Sequence, residues 1–178
     1  MKSDVIMIDN QGYGFHEAVE QTRKVAEFKK MSKQNSLYLQ LCAEEMLSLV
    51  RSVTGEMKAS FWVECSDEQF DLHMTTKTVL DKEKRAQLIA SSTSKTNEAA
   101  HSFLGKLRNA LEQAMASESD RQYYDLPDDI AADISGRIID VPEWDGYERS
   151  VLRKIADDIK IGIRGGTVEM TVSKRIAQ

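Results

Sequence analysis

The residues with chemistry to offer are few and scattered. In the stretch LQLCAEEMLSLV, Leu39 to Val50, two glutamates sit among apolar residues. At about 100° per residue, Leu39, Cys42, Ala43, Met46, Leu49, Val50 and Val53 define one apolar arc. Gln40, Glu44, Ser48 and Arg51 define the opposite face. Glu45 falls on the boundary, beside Leu49. A carboxylate there either lines a pocket or reaches solvent, and solvent is favoured because charged groups are seldom buried unpaired. His16, His73 and His101 are far apart in sequence and near no Cys or clustered Asp/Glu at ligand spacing, so only the fold could bring a three-ligand metal site together, and solvent-facing histidines are favoured. Cys42 and Cys65 lie in apolar-patterned segments without a neighbouring His, so they read as packed thiols rather than nucleophiles. Asp125, Asp128, Asp129 and Asp133 form an acidic run. It lacks the glycine and terminal glutamate of a calcium loop, and Asp128 reads as the cap of a short helix. The glycines at 55, 162, 165 and 166 belong to no phosphate-loop motif.

Composition narrows the function classes. The chain has 178 residues, 41% of them hydrophobic, which suits one domain with a real core. Its 24 Lys+Arg against 29 Asp+Glu give a net charge of -5. With no basic run, nucleic acid and anionic membrane surfaces are poor partners. No stretch approaches a membrane span, and the N-terminus MKSDVIMIDNQ lacks a signal-peptide core. Two packed cysteines fit a reducing compartment, so the expected location is cytoplasmic.

The elements that must position these residues are set by periodicity. Val5 to Ile8 reads as a strand. Helical spacing runs over His16–Lys30 and again over Leu37–Val53, with Asn35-Ser36 as the start signal. Ser60–Cys65 and Gln69–Met74 read as an antiparallel hairpin. Asp81–Ala90 and Asn97–Ser117 are predicted helices, the second long and amphipathic. Residues 119–146 are irregular, Tyr147–Ile155 is helical, and Ile159–Arg164 and Thr167–Val172 form a hairpin about Gly165-Gly166. The expected fold is an α/β two-layer sandwich, its sheet mixed but mostly antiparallel, with helices on one face.

Two blocks carry a resemblance. LQLCAEEMLSLV and GYERSVLRKIADDIKIGIRGGTVEMTVSKRI, Gly146 to Ile176, resemble the histidine-kinase-like ATPase superfamily, in particular the bacterial anti-sigma-factor serine kinases. The likeness covers about half the chain, in patches. It implies that fold for residues 1–178 as one domain, with a helical insertion or replaced lid about 81–118. It also implies that Glu45 stands where the family has its base for phosphoryl transfer. Leu49 stands at the magnesium-binding Asn, and a leucine has no oxygen for Mg²⁺. Moving the frame to Glu44 puts Ser48 there, a weak ligand. Met74 to Val79 stands where an Asp-x-Gly-x-Gly motif should read adenine, and has neither Asp nor Gly. Gly146 matches the first glycine of the phosphate turn, whereas Glu148 replaces the second with a carboxylate that repels phosphate.

Glu45, Leu49, Gly146 and Glu148 are therefore pocket positions without ATP competence. The resemblance implies the fold and not the ATPase. The protein it implies is a degenerate regulatory one without cofactor or metal. It would bind a protein such as a sigma factor or an anti-sigma antagonist, and form a homodimer as relatives often do. One alternative is an active ATP-dependent serine kinase, with Glu45 as base and Mg²⁺ held by other residues. Another is a small-molecule sensor whose emptied pocket, lined by Leu49, Met74 and Val79, takes an apolar ligand.

Overall fold

The computed structural model describes residues 1–9, 11–55, 58–100 and 151–176. The described elements run β1 (Ile6–Ile8), α1 (Phe15–Phe28), α2 (Lys33–Thr54), β2 (Ala59–Cys65), β3 (Gln69–Lys77), α3 (Lys82–Ser91), a 3-10 turn (Glu98–Ala100), β4 (Asp158–Arg164) and β5 (Thr167–Arg175). Residues 151–155 are also helical. The five strands form one sheet in the order β1-β2-β3-β5-β4. Every pairing among them is antiparallel, so the parallel component of the expected mixed sheet is absent among the described strands. The connections explain this. β2–β3 and β4–β5 are tight hairpins, which can only be antiparallel, and β5 then lays its free edge antiparallel along β3.

Register divides the sheet into two unlike faces. Across one row Val63 pairs with Leu72, Leu72 with Val172 and Val172 with Ile159; across the next, Phe61, Met74, Met170 and Ile161 line up. All eight are buried, as are Ile163 and Val168. Strand side chains alternate with period two, so the intervening row of Trp62, His73, Thr171 and Lys160 faces the other way. The helices contribute to the same core as the apolar face: Ala18, Thr22, Val25 and Ala26 from α1, and Leu39, Cys42, Ala43, Met46, Leu47, Leu49, Val50 and Val53 from α2. This is a two-layer α/β arrangement, and the apolar arc read from α2 is its buried face.

Local chemistry fixes the element ends. A Cβ at Gly14 would lie 2.0 Å from the Met7 carbonyl oxygen, and its φ is 83°, so only glycine lets α1 start against β1. α2 opens at Lys33, earlier than the Asn35-Ser36 signal, because Ser32 Oγ accepts from the Asn35 N–H at 3.2 Å and takes the cap. Asp81 caps α3 in the same way, accepting from the Lys84 N–H at 2.7 Å.

The expected helix over Asn97–Ser117 differs in its first residues. The chain passes Thr93 and Asn97 along the free edge of β4, then makes the 3-10 turn; its remainder lies outside the described residues. The Thr93 N–H donates to the Ile159 carbonyl at 2.9 Å and Thr93 Oγ1 accepts from the Ile159 N–H at 2.8 Å. Asn97 serves Ile163 through its side-chain amide alone, so among the described residues Thr93 and Asn97, rather than another strand, satisfy this edge.

Candidate functional site

α2 places the residues of the first motif. Leu49 is 0% exposed and packs in the core between helices and sheet. No ligand reaches its side chain without opening the core. Glu45, one turn earlier, is half-buried at the edge of that face. Its charge acts on the Cys42 thiol, together with those of Lys174 in β5 and Asp157 just before β4. Burial dominates there and pushes the thiol up to about 12, so Cys42 stays protonated and unreactive at neutral pH. Both cysteines are free and buried. Gly146, Glu148, His101 and the acidic run at 125–133 lie outside the described residues.

His73 belongs to the polar face. Its ring stacks on Trp62, centroids 5.1 Å apart and planes 11° from parallel, and Lys2 Nζ stands 4.7 Å above the Trp62 ring. Trp62 Nε1–H donates to Glu64 Oε1 at 3.0 Å, and Lys2 pairs with the same oxygen at 3.1 Å. His73 Nδ1 meets Thr171 Oγ1 at 3.1 Å. Asp71 accepts from Ser173 Oγ at 2.6 Å and from Gln69 Nε2. Cys65 points to the opposite face, so strand alternation separates the nearest Cys and His in the sheet. His16 is exposed on α1. No group of three His, Cys, Asp or Glu among the described residues is placed to hold a metal ion.

One open region among the described residues lies at the end of the sheet where the two hairpins and the helix ends meet. A cleft of about 840 Å³ is lined by Thr54 at the end of α2, Lys58 before β2, Lys77 at the end of β3 with Thr78 and Val79 after it, Lys84 in the first turn of α3, Gly165 and Gly166 in the last turn, and Thr167 at the start of β5. The cleft does not contain Glu45. Nine residues separate Glu45 from Thr54, about 14 Å along a helix. Of the three residues expected to line an emptied apolar pocket, Leu49 and Met74 are in the core. Only Val79, 91% exposed, reaches the cleft. Among the described residues the lining carries three lysines, with no Asp and no Glu. Sequence reading misses it because Lys58, Lys77 and Lys84 never form a basic run; they meet only through the hairpin register and the helix start. Lys77 pairs across the ladder with Thr167, and the Thr78 N–H donates to the Gly166 carbonyl at 2.9 Å.

No protein-family model matches the chain, and no curated protein matches it in sequence. No helix among the described residues is long and apolar enough to cross a membrane.

Proposed function

We propose that the chain is a regulatory protein that acts in the cytoplasm by binding another protein, on a histidine-kinase-like ATPase type of scaffold that does not handle Mg-ATP. The burial of Leu49 carries this reading. Where the resemblance puts an oxygen ligand for magnesium, this chain has a hydrocarbon side chain in its core, and a hard cation has nothing to bind there. The two-layer arrangement and the closing β4–β5 hairpin support the fold half of the reading. Large apolar side chains left in solvent support the binding half. Phe28 is 71% exposed and Leu37 65%, on either side of the α1–α2 turn, with Tyr38 beside them. A sigma factor or an anti-sigma antagonist is the proposed partner class, and the working form is a homodimer.

Calorimetry with Mg-ATP tests the reading. No saturable heat that Glu45→Ala abolishes is expected at millimolar nucleotide. A dissociation constant in the low micromolar range, abolished by Glu45→Ala, overturns it in favour of an ATP-dependent serine kinase with Glu45 as base. On the binding side, titration against a sigma factor from the same organism should saturate, and Phe28→Ser with Leu37→Ser should weaken it.

A further inference from the structure

We propose that the cleft at the end of the sheet is an anion site for a small soluble ligand carrying at least two phosphate groups, gripped by Lys58, Lys77 and Lys84. The inference does not depend on what protein the chain binds.

The charge pattern points there. Acids outnumber bases in the whole chain, 29 to 24, yet the described residues that line the cleft include three lysines and no acid. Five cations elsewhere are matched with a carboxylate: Lys2 with Glu64, Arg23 with Glu20, Lys29 with Asp67, Lys160 with Asp158 and Lys174 with Asp157. Lys58, Lys77 and Lys84 make no ion pair with any described residue. Of the carboxylates near Lys84, Asp81 is turned onto the Lys84 backbone N–H at 2.7 Å, where it caps α3, and Glu83 accepts from Gln87 Nε2 at 3.4 Å. Three like charges around one cleft repel one another, and a polyanion between them removes that repulsion while it gains three attractions.

The scaffold holds the lysine backbones in place. Thr76 Oγ1 donates to the Lys58 carbonyl at 2.9 Å, which ties the approach to β2 onto β3. Lys77 closes the β3–β5 ladder opposite Thr167. Thr78 is tied to the last turn through Gly166. Glycines at 165 and 166 keep side chains out of the opening. The hydroxyls of Thr78 and Thr167 add donors to the same wall. Lysine presents a compact point charge with rotatable donors, suited to phosphate oxygens in varied geometry, whereas a planar carboxylate is matched better by the arginine fork. A single exposed ion pair in water contributes little, so the ligand must bring several charges to engage all three lysines.

The test uses the full chain and inorganic pyrophosphate at low salt, with orthophosphate and sulfate at matched ionic strength. Calorimetry should show saturable, one-to-one binding of pyrophosphate, stronger than for orthophosphate or sulfate and weakening as salt rises. Lys77→Gln and Lys84→Gln should each weaken it about threefold or more, on the order of one exposed ion pair, and the triple Lys58, Lys77, Lys84→Gln variant should abolish it. Lys160→Gln, outside the cleft, should change nothing. The lysines stand at the surface, and an unchanged melting temperature without ligand checks that each variant folds. Absence of saturable binding at millimolar pyrophosphate, equal binding by the triple variant, or sulfate binding as tightly as pyrophosphate each overturns the proposal. Failure here leaves the Mg-ATP titration untouched, because that result turns on Glu45 and this one on the lysines.

Discussion

The side-chain amide of Asn97 makes two hydrogen bonds to the main chain of Ile163, Nδ2 donating to the carbonyl at 2.9 Å and Oδ1 accepting from the N–H at 2.8 Å. A side chain thus does for the edge of β4 what a sixth strand would do. Asn97 is 8% exposed, so water cannot replace it easily. Asn97→Ala leaves a buried donor and a buried acceptor unpaired, and should cost about 2 kcal/mol or more in denaturant unfolding. Asn97→Asp keeps the shape but loses the donor and sets a carboxylate against the Ile163 carbonyl. It should be no less damaging. An unchanged midpoint for both variants would show that these bonds do not form in solution.

Leu49 is the sharpest point of contact between the resemblance and the fold. Leu49→Asn removes buried hydrocarbon and inserts an amide with no designed partner, so it should destabilise by roughly 2–4 kcal/mol. It should not create Mg-ATP binding. Thermal melting and calorimetry on one preparation check both halves. An unchanged melting temperature would mean that α2 is rotated from the packing described.

The closing hairpin should tolerate little at its turn. Gly165 has φ 54° and Gly166 φ 77°, both left-handed. Valine at either position must adopt a backbone that a β-branched side chain resists, at a cost of about 1–3 kcal/mol each. A Cβ at Gly166 would also stand 3.2 Å from the Thr78 carbonyl oxygen. Urea unfolding of Gly165→Val and Gly166→Val should show both losses, with amides over 159–163 and 168–172 exchanging faster. Full stability in either variant would contradict the turn geometry.

The same hairpin shows what is legible in the sequence. Ile159, Ile161, Ile163, Val168, Met170 and Val172 alternate with polar residues, and all six are buried, because period two is a property of the strand alone. The apolar arc of α2 is readable for the same reason, with a period of 3.6. Asn97 is not. By pattern it opens an amphipathic helix, and only the nearness of β4, 66 residues away in the chain, turns its amide onto a strand edge. The cleft is hidden in the same way. Lys58, Lys77 and Lys84 belong to three elements, and the β2–β3–β5 register together with the start of α3 brings them to one opening. Leu49 and Met74 look like pocket walls by resemblance because a resemblance assigns positions, whereas packing decides which side chains face space.

His73 should give the fold a pH dependence in the mildly acidic range. Burial under Trp62 holds its pKa below the ordinary value, and Lys2 adds to that; Glu64 and Asp71 pull the other way without prevailing. Glu64 Oε2 stands 4.0 Å from Nε2, too far for a hydrogen bond, so it does not offset the burial. The folded protein therefore holds this proton less tightly than the unfolded chain. The resulting stability is fully present above the ordinary histidine value of about 6.5 and is lost as pH falls from there through the folded value. The carboxyls of Glu64 and Asp157 also lie below their ordinary values. Hydrogen bonds from Trp62 and Lys2 hold Glu64 down; for Asp157, the Arg175 N–H and Lys174 outweigh burial. Their contributions fade only as pH drops through about 4, in a separate window. His73→Gln keeps a group able to reach Thr171 but does not titrate. Unfolding free energy measured between about pH 7.5 and pH 5 should therefore fall less in the variant than in the parent. An NMR titration that puts His73 above about 6.5, or identical pH profiles for the two proteins, would show that the ring is solvated and not stacked in its cover of Trp62.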